Sequence, residues 1–100
     1  MIRHVVMWTL FESADGHDRA ANAVRAKEKL LALKDKVPVV RSLEVGVDVL
    51  RSERSYDLCL LASFETLADL AAYDDHPAHR EVAEFMKKVR EKAVSVDFEV

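Results

Sequence analysis

Cysteine is almost missing from the chain. Cys59 stands alone, so no internal disulfide can form, and a reducing compartment such as the cytoplasm is expected. Glycine and proline occur only twice each, which leaves no low-complexity linker. Long apolar runs are missing too. None reaches the roughly 18 residues that a membrane-spanning helix needs, and the strand-like start Met1-Ile2-Arg3-His4 does not read as a signal peptide. Nor is there an excess of positive charge. Lysine and arginine number 15 against 18 acidic residues, the two signs are interspersed, and no basic block is longer than the pair Lys87 and Lys88. That argues against the electrostatic footprint of a nucleic-acid binder.

What is there has a globular balance. Of the 100 residues 50% are hydrophobic and 33% charged, which suits one domain over residues 1–100. Residues 2–11 are β-branched and aromatic in a run too short for a helix, and read as a strand. Gly16 marks a turn in the polar stretch 13–18 that leads into a helix. From Ala20 to about Lys36, apolar residues recur at spacings of three and four. Ala23, Ala26, Leu30, Leu33 and Val37 form the stripe of an amphipathic helix, which Pro38 ends. Residues 39–50 alternate, with Leu43, Val45, Val47 and Val49 on one face. The polar segment 51–55 is short enough to join this strand to a third at 56–65. There Leu58, Leu60, Ala62 and Phe64 share one face, and Asp57, Cys59, Leu61 and Ser63 the other. Thr66 followed by Asp69 has the form of a helix N-cap. Pro77 suits the first turn of a further helix, with Val82, Phe85, Met86 and Val89 as its inner stripe. Residues 93–100 alternate again, Val94, Val96, Phe98 and Val100 against Ser95, Asp97 and Glu99.

The order is therefore β-α-β-β-α-α-β. Right-handed crossovers put the helices on one side of a single antiparallel sheet, an α+β protomer of ferredoxin-like layout. The helices can cover only one face. In strands two, three and four the apolar set is expected beneath them, and in strand one Val5, Met7, Thr9 and Phe11. The uncovered face would then hold Ile2, His4, Val6, Trp8 and Leu10 beside Cys59 and Leu61. Such a patch is costly to leave in water, at about 25 cal/mol per Å² of apolar area. The same face would carry His4, Ser42, Glu44, Asp57, Ser63 and Asp97, which a dry interface would leave unsatisfied. A homodimer around a wet cavity accommodates both sets. A monomer with a partly polar open face is the alternative.

Five segments carry a resemblance. They are Ile2-Arg3-His4-Val5-Val6, Ser42-Leu43-Glu44-Val45-Gly46, Tyr56-Asp57-Leu58, Ala72-Tyr73 with His76-Pro77-Ala78-His79, and the closing Val96-Asp97-Phe98-Glu99-Val100. In order and spacing they resemble the stress-responsive dimeric A/B-barrel (Dabb) family over essentially the whole chain, the piece ending at His79 being the most specific. The resemblance implies a ferredoxin-like protomer whose sheets pair face to face in a dimeric barrel. Family members include plant stress-response proteins and a plant polyketide cyclase. By the match to that cyclase, His79 would be the general base and Asp97 the carboxylate that holds it. Tyr73 and His4 would line the same pocket. Leu58 stands where the cyclase has another histidine, so its substrate is not implied.

The residues themselves leave alternatives open. His79 lies near the start of its helix, where an imidazolium is disfavoured, and with Asp97 behind it could abstract a proton. Equally, the two could form a structural hydrogen bond tying the last strand to the helix. Tyr73 could donate to a substrate or sit at the rim. Val6, Trp8, Cys59 and Leu61 are expected to line the ligand cavity, although Trp8 also reads as packing and Cys59 as an inert buried thiol. His76, directly before Pro77, reads as a turn-shaping cap. His4, His17, His76 and His79 are not spaced as a ligand set, so neither a metal nor a cofactor is expected. Three functions remain. One is cofactor-free acid–base chemistry on a small, largely apolar, carbonyl-bearing ligand. The others are a non-catalytic ligand-binding or stress-protective module, and a cofactor-free monooxygenase. The expected partners are a second copy of the chain and a small molecule, with neither nucleic acid nor membrane.

Overall fold

The computed structural model describes residues 1–100. Strand β1 (Ile2–Leu10) leads into a short hairpin, β2 (Ser13–Ala14) and β3 (His17–Asp18), and then into helices α1 (Arg19–Leu31) and α2 (Leu33–Lys36). Strands β4 (Ser42–Val47) and β5 (Leu58–Phe64) follow, then α3 (Leu67–Asp75), α4 (Pro77–Val89) and β6 (Arg90–Glu99). The main sheet runs β4-β5-β1-β6, every neighbour antiparallel. This is the ferredoxin-like order, with the helices on one face.

Local chemistry places the helix ends. Asp18 accepts the Ala21 N–H at 2.8 Å and Thr66 the Asp69 N–H at 3.1 Å, each satisfying a donor that the helix cannot. The turn between β2 and β3 holds Asp15 and Gly16 at φ of 53° and 78°, a conformation that suits glycine. Asn22, fully buried in α1, donates to the Ala14 carbonyl at 2.9 Å and so ties the hairpin to the helix. The α1–α2 stripe is buried as its spacing predicts: Ala23, Ala26, Leu30, Leu33 and Val37 are all in the core. On α4, Met86 and Val89 are buried, whereas Val82 and Phe85 are only partly so.

The faces of two strands are the reverse of the expectation. In β1 the helix side carries Ile2, His4, Val6, Trp8 and Leu10, of which Ile2, Trp8 and Leu10 are buried; Met7 is 41% exposed. These residues stand opposite the helix-facing Phe64, Ala62, Leu60 and Leu58 of β5. In β6, Ala93, Ser95 and Asp97 lie opposite Trp8, Val6 and His4. Asp97 and Ser95 therefore lie on the helix side, and Val94, Val96 and Phe98 turn away. Alternation fixes which residues share a face, and a register shift of one residue exchanges the faces wholesale. Both parities of β1 are apolar, so its pattern could not break the tie. The outer face is nonetheless apolar: Met7, Leu61 (42% exposed), Val94 and Val96 (62% exposed) lie on it with Val5 and Phe98.

Asp57, expected on that outer face, instead closes the end of the sheet. Its buried carboxylate accepts the Leu10 N–H at 2.7 Å and the Arg51 guanidinium at 2.6 Å, while its own N–H donates to the Trp8 carbonyl at 2.9 Å. One side chain thus joins β1 to the β4–β5 connection. Asp57→Ala strands a buried N–H and should lower unfolding free energy by about 1–3 kcal/mol, read from the midpoint of urea denaturation with an unchanged slope.

Candidate functional site

A cavity of about 300 Å³ lies between the helices and the β1–β6 half of the sheet. Its walls are mainly apolar, from Val6, Trp8 and Leu60 on the sheet and Leu30, Val82, Ala83 and Met86 on the helices. The volume matches the lower end of small-molecule sites. The polar groups gather where α3 meets α4. Tyr73 is in the last turn of α3 and 1% exposed. His76 caps α4, its Nδ1 accepting the Ala78 N–H at 3.0 Å, and Pro77 takes the first helical position. That tight junction brings His79, in the first turn of α4, against Tyr73, with ring centroids 4.5 Å apart. Phe64 packs on the Tyr73 ring at 5.1 Å, and His4 approaches the same ring edge-on at 6.2 Å.

The structure brings together His4, Val6, Trp8, Tyr73 and His79 on one cavity. Asp97 reaches it only through His4. Cys59 and Leu61 do not take part, since both turn to the opposite face of the sheet, beside Met7 and Val5. The expected pairing of His79 with Asp97 is likewise corrected. Asp97 Oδ1 is hydrogen-bonded to His4 Nδ1, its directly opposite residue in the β1–β6 ladder. Residues opposite each other on one sheet face are closer neighbours than a strand and a helix end. His79 instead donates from Nδ1 to the Asp74 carbonyl at 3.2 Å, with Nε2 3.9 Å from the Asp74 carboxylate. Sequence reasoning missed Asp74, Lys87, Arg90 and Ser95, which also line the cavity. Asp74 follows directly on Tyr73, and this adjacency was the available signal for it.

Burial pushes the His79 imidazole below its ordinary value, opposed by the charge and carbonyl of Asp74 and assisted by His4. Burial, with Asp74 beside it, pushes the Tyr73 hydroxyl far above its ordinary value. The pair is therefore a neutral imidazole and a protonated phenol near pH 7. With Nδ1–H given to Asp74, His79 Nε2 is a free acceptor. Tyr73 finds no hydrogen-bond partner within the protein, yet its oxygen is not sealed off, so its O–H can serve a ligand. Asp97 fixes the orientation of the His4 ring in the same way, through the hydrogen bond at Nδ1. No three His, Cys, Asp or Glu side chains converge as metal ligands.

The sequence profile of the family described as stress responsive A/B barrel domain matches residues 2–100. A dimeric protein of unknown function and ferredoxin-like fold from Bacteroides fragilis is 26% identical, with a TM-score of 0.88 over 99% of this chain and 95% of that one. A dimeric ferredoxin-like protein of unknown function from Thermobifida fusca is 21% identical, with a TM-score of 0.85 over 99% and 90%. A hydroxynitrile lyase from Passiflora edulis shares the fold at 17% identity, with a TM-score of 0.79 over 99% and 92%. Among curated proteins none matches the sequence significantly. No helix is long and apolar enough to cross a membrane.

Titration tests the electrostatic reading. By proton NMR, the His79 ring should titrate below about 6.5, the ordinary imidazole value. Because the folded value is the lower one, the unfolded chain takes up the proton first as pH falls. Stability should therefore be complete above about 6.5 and decline on acidification until the folded value is passed. His79→Asn should flatten that part of the profile in urea unfolding measured at stepped pH.

Proposed function

Because the chain belongs to the stress-responsive A/B barrel family, we propose that it acts as a homodimer whose protomers each use the cavity for cofactor-free acid–base chemistry on a small, largely apolar, carbonyl-bearing ligand. The observation that carries this reading is the His79 ring packed 4.5 Å from that of Tyr73, whose hydroxyl has no partner in the protein, at an apolar cavity of about 300 Å³. Tyr73 donates its O–H to the carbonyl oxygen. His79 Nε2 takes a proton from the adjacent carbon, the negative charge passes to the oxygen held by Tyr73, and the proton returns from the imidazolium to the product. His4, oriented by Asp97, is a second polar contact. A hydroxynitrile lyase among the similarly folded proteins supports the view that this architecture can house small-molecule chemistry. Cytoplasmic location is proposed from the lone Cys59.

The chemistry can be read without knowing the natural substrate. In deuterium oxide, the protein should accelerate loss of the α-proton NMR signal from at least one member of a panel of β-keto esters and aryl ketones. His79→Ala should reduce that acceleration on the order of 100-fold, Tyr73→Phe should also reduce it, and Cys59→Ser, on the other sheet face, should not. Binding without exchange in the wild-type protein would instead favour a non-catalytic module.

The dimer is proposed through the outer sheet face, on the ground that Val5, Met7, Leu61, Val94, Val96 and Phe98 form a continuous apolar surface. Bacterial proteins of this fold are described as dimeric. Light scattering should return twice the 11.3 kDa chain mass for the wild-type protein and the single mass for Val96→Lys.

A further inference from the structure

The cavity has a charge polarity that the reacting groups do not use. Asp74 borders the end where Tyr73 and His79 meet, and Lys87 and Arg90 border the wall at the other end of α4. Between positions 79 and 90 the chain advances roughly 16 Å, at about 1.5 Å per helical residue. The wall between is apolar, with Val82, Ala83 and Met86 facing Val6 and Trp8.

Arg90 differs from the other arginines. Arg19 and Arg51 lie against Asp57, Arg25 pairs with Asp15, Arg41 with Glu65 and Arg80 with Asp75. Arg3 and Arg54 have no carboxylate partner but stand exposed. Arg90 is half-buried, lines the cavity, and forms neither an ion pair nor a side-chain hydrogen bond. Its register opposite Leu10 puts it on the helix side of the sheet. Lys87, the neighbouring cation, is exposed and takes Glu84 at 3.2 Å. A guanidinium offers a planar fork of N–H donors matched to a carboxylate, and partial removal from water strengthens that pairing.

We propose that the cavity takes an amphipathic organic acid, its carboxylate held by Arg90 and its apolar body lying along Trp8, Val82 and Met86 toward Tyr73 and His79. Placing the reacting group at the His79 end rests on the acid–base reading above; the carboxylate anchor does not. Asp74 sets the direction, since a carboxylate at its end would meet like charge. Arg90 is then the residue that selects acids over neutral analogues of the same shape.

The test is an NMR titration of isotope-labelled protein with phenylacetate, phenylpropionate and phenylbutyrate, each beside its primary amide. At least one acid should bind roughly tenfold more tightly than its amide, with shifts at the Trp8 indole. Arg90→Gln should remove the preference, and Arg54→Gln should keep it. If Arg90→Gln fails to fold, Arg90→Lys replaces it, and the preference should narrow as the two-point contact is lost. The proposal is overturned by acids and amides binding alike, by no acid binding at millimolar concentration, or by a preference that survives at Arg90→Gln. Inorganic phosphate engaging Arg90 where none of the acids does would also overturn it. Loss of proton exchange with the acid preference intact would remove the acid–base reading and leave the anchor standing.

Discussion

The pairing of β6 with β1 is the constraint on which the site depends. With His4 opposite Asp97 and Val5 opposite Val96, Ser95 and Asp97 of the last strand turn toward the helices while Val94 and Val96 turn away. On that face the Asp97 carboxylate meets the imidazole directly across the ladder and is hydrogen-bonded to it. The same register leaves Ser95 and Ala93, both small, beside Val6 and Trp8. Small side chains there leave space beneath α4, and the cavity occupies that space.

The second requirement is the short junction between α3 and α4. Thr66 starts α3, and His76 with Pro77 ends it and starts α4 without an intervening loop. Tyr73 and His79 are thereby fixed in ring contact, the geometry in which one keeps its proton and the other stays free of one. Desolvation drives both shifts, and it acts in opposite chemical directions because the neutral form of a phenol is the acid and that of an imidazole is the base.

Element order, the helix stripe from Ala23 to Val37 and the caps at Thr66 and His76 were legible in the sequence pattern, whereas the gathering of His4, Tyr73 and His79 was implied only by the family resemblance. The facing of β1 and β6 was not. An alternating strand states its two faces and is silent about which one meets the helices, and the regular valines of β6 resembled a core face. That single ambiguity misplaced Trp8 and Val6 on the outer surface and led Cys59 and Leu61 to be grouped with residues on the other side of the sheet; Asp57 was misplaced separately, because it lies just before β5 rather than in its alternation. The partner of Asp97 followed from the same point, because only the β1–β6 register decides whether His4 or His79 is nearest. Arg90 was missed for a related reason: the strand begins three residues earlier than its alternation suggested, so this residue fell outside the expected strand.

Trp8 is the only tryptophan in the chain, and it is a buried wall of the cavity. Indole emission responds to the polarity and quenching groups around it, so the molecule carries its own optical gauge at the position where a ligand would sit. Changes in emission colour or intensity on occupancy can be followed without a label, in dilute solution and on the timescale of mixing. The same signal would respond little to events confined to the opposite side of the sheet, and would therefore separate filling of the interior from contacts made on the outer surface.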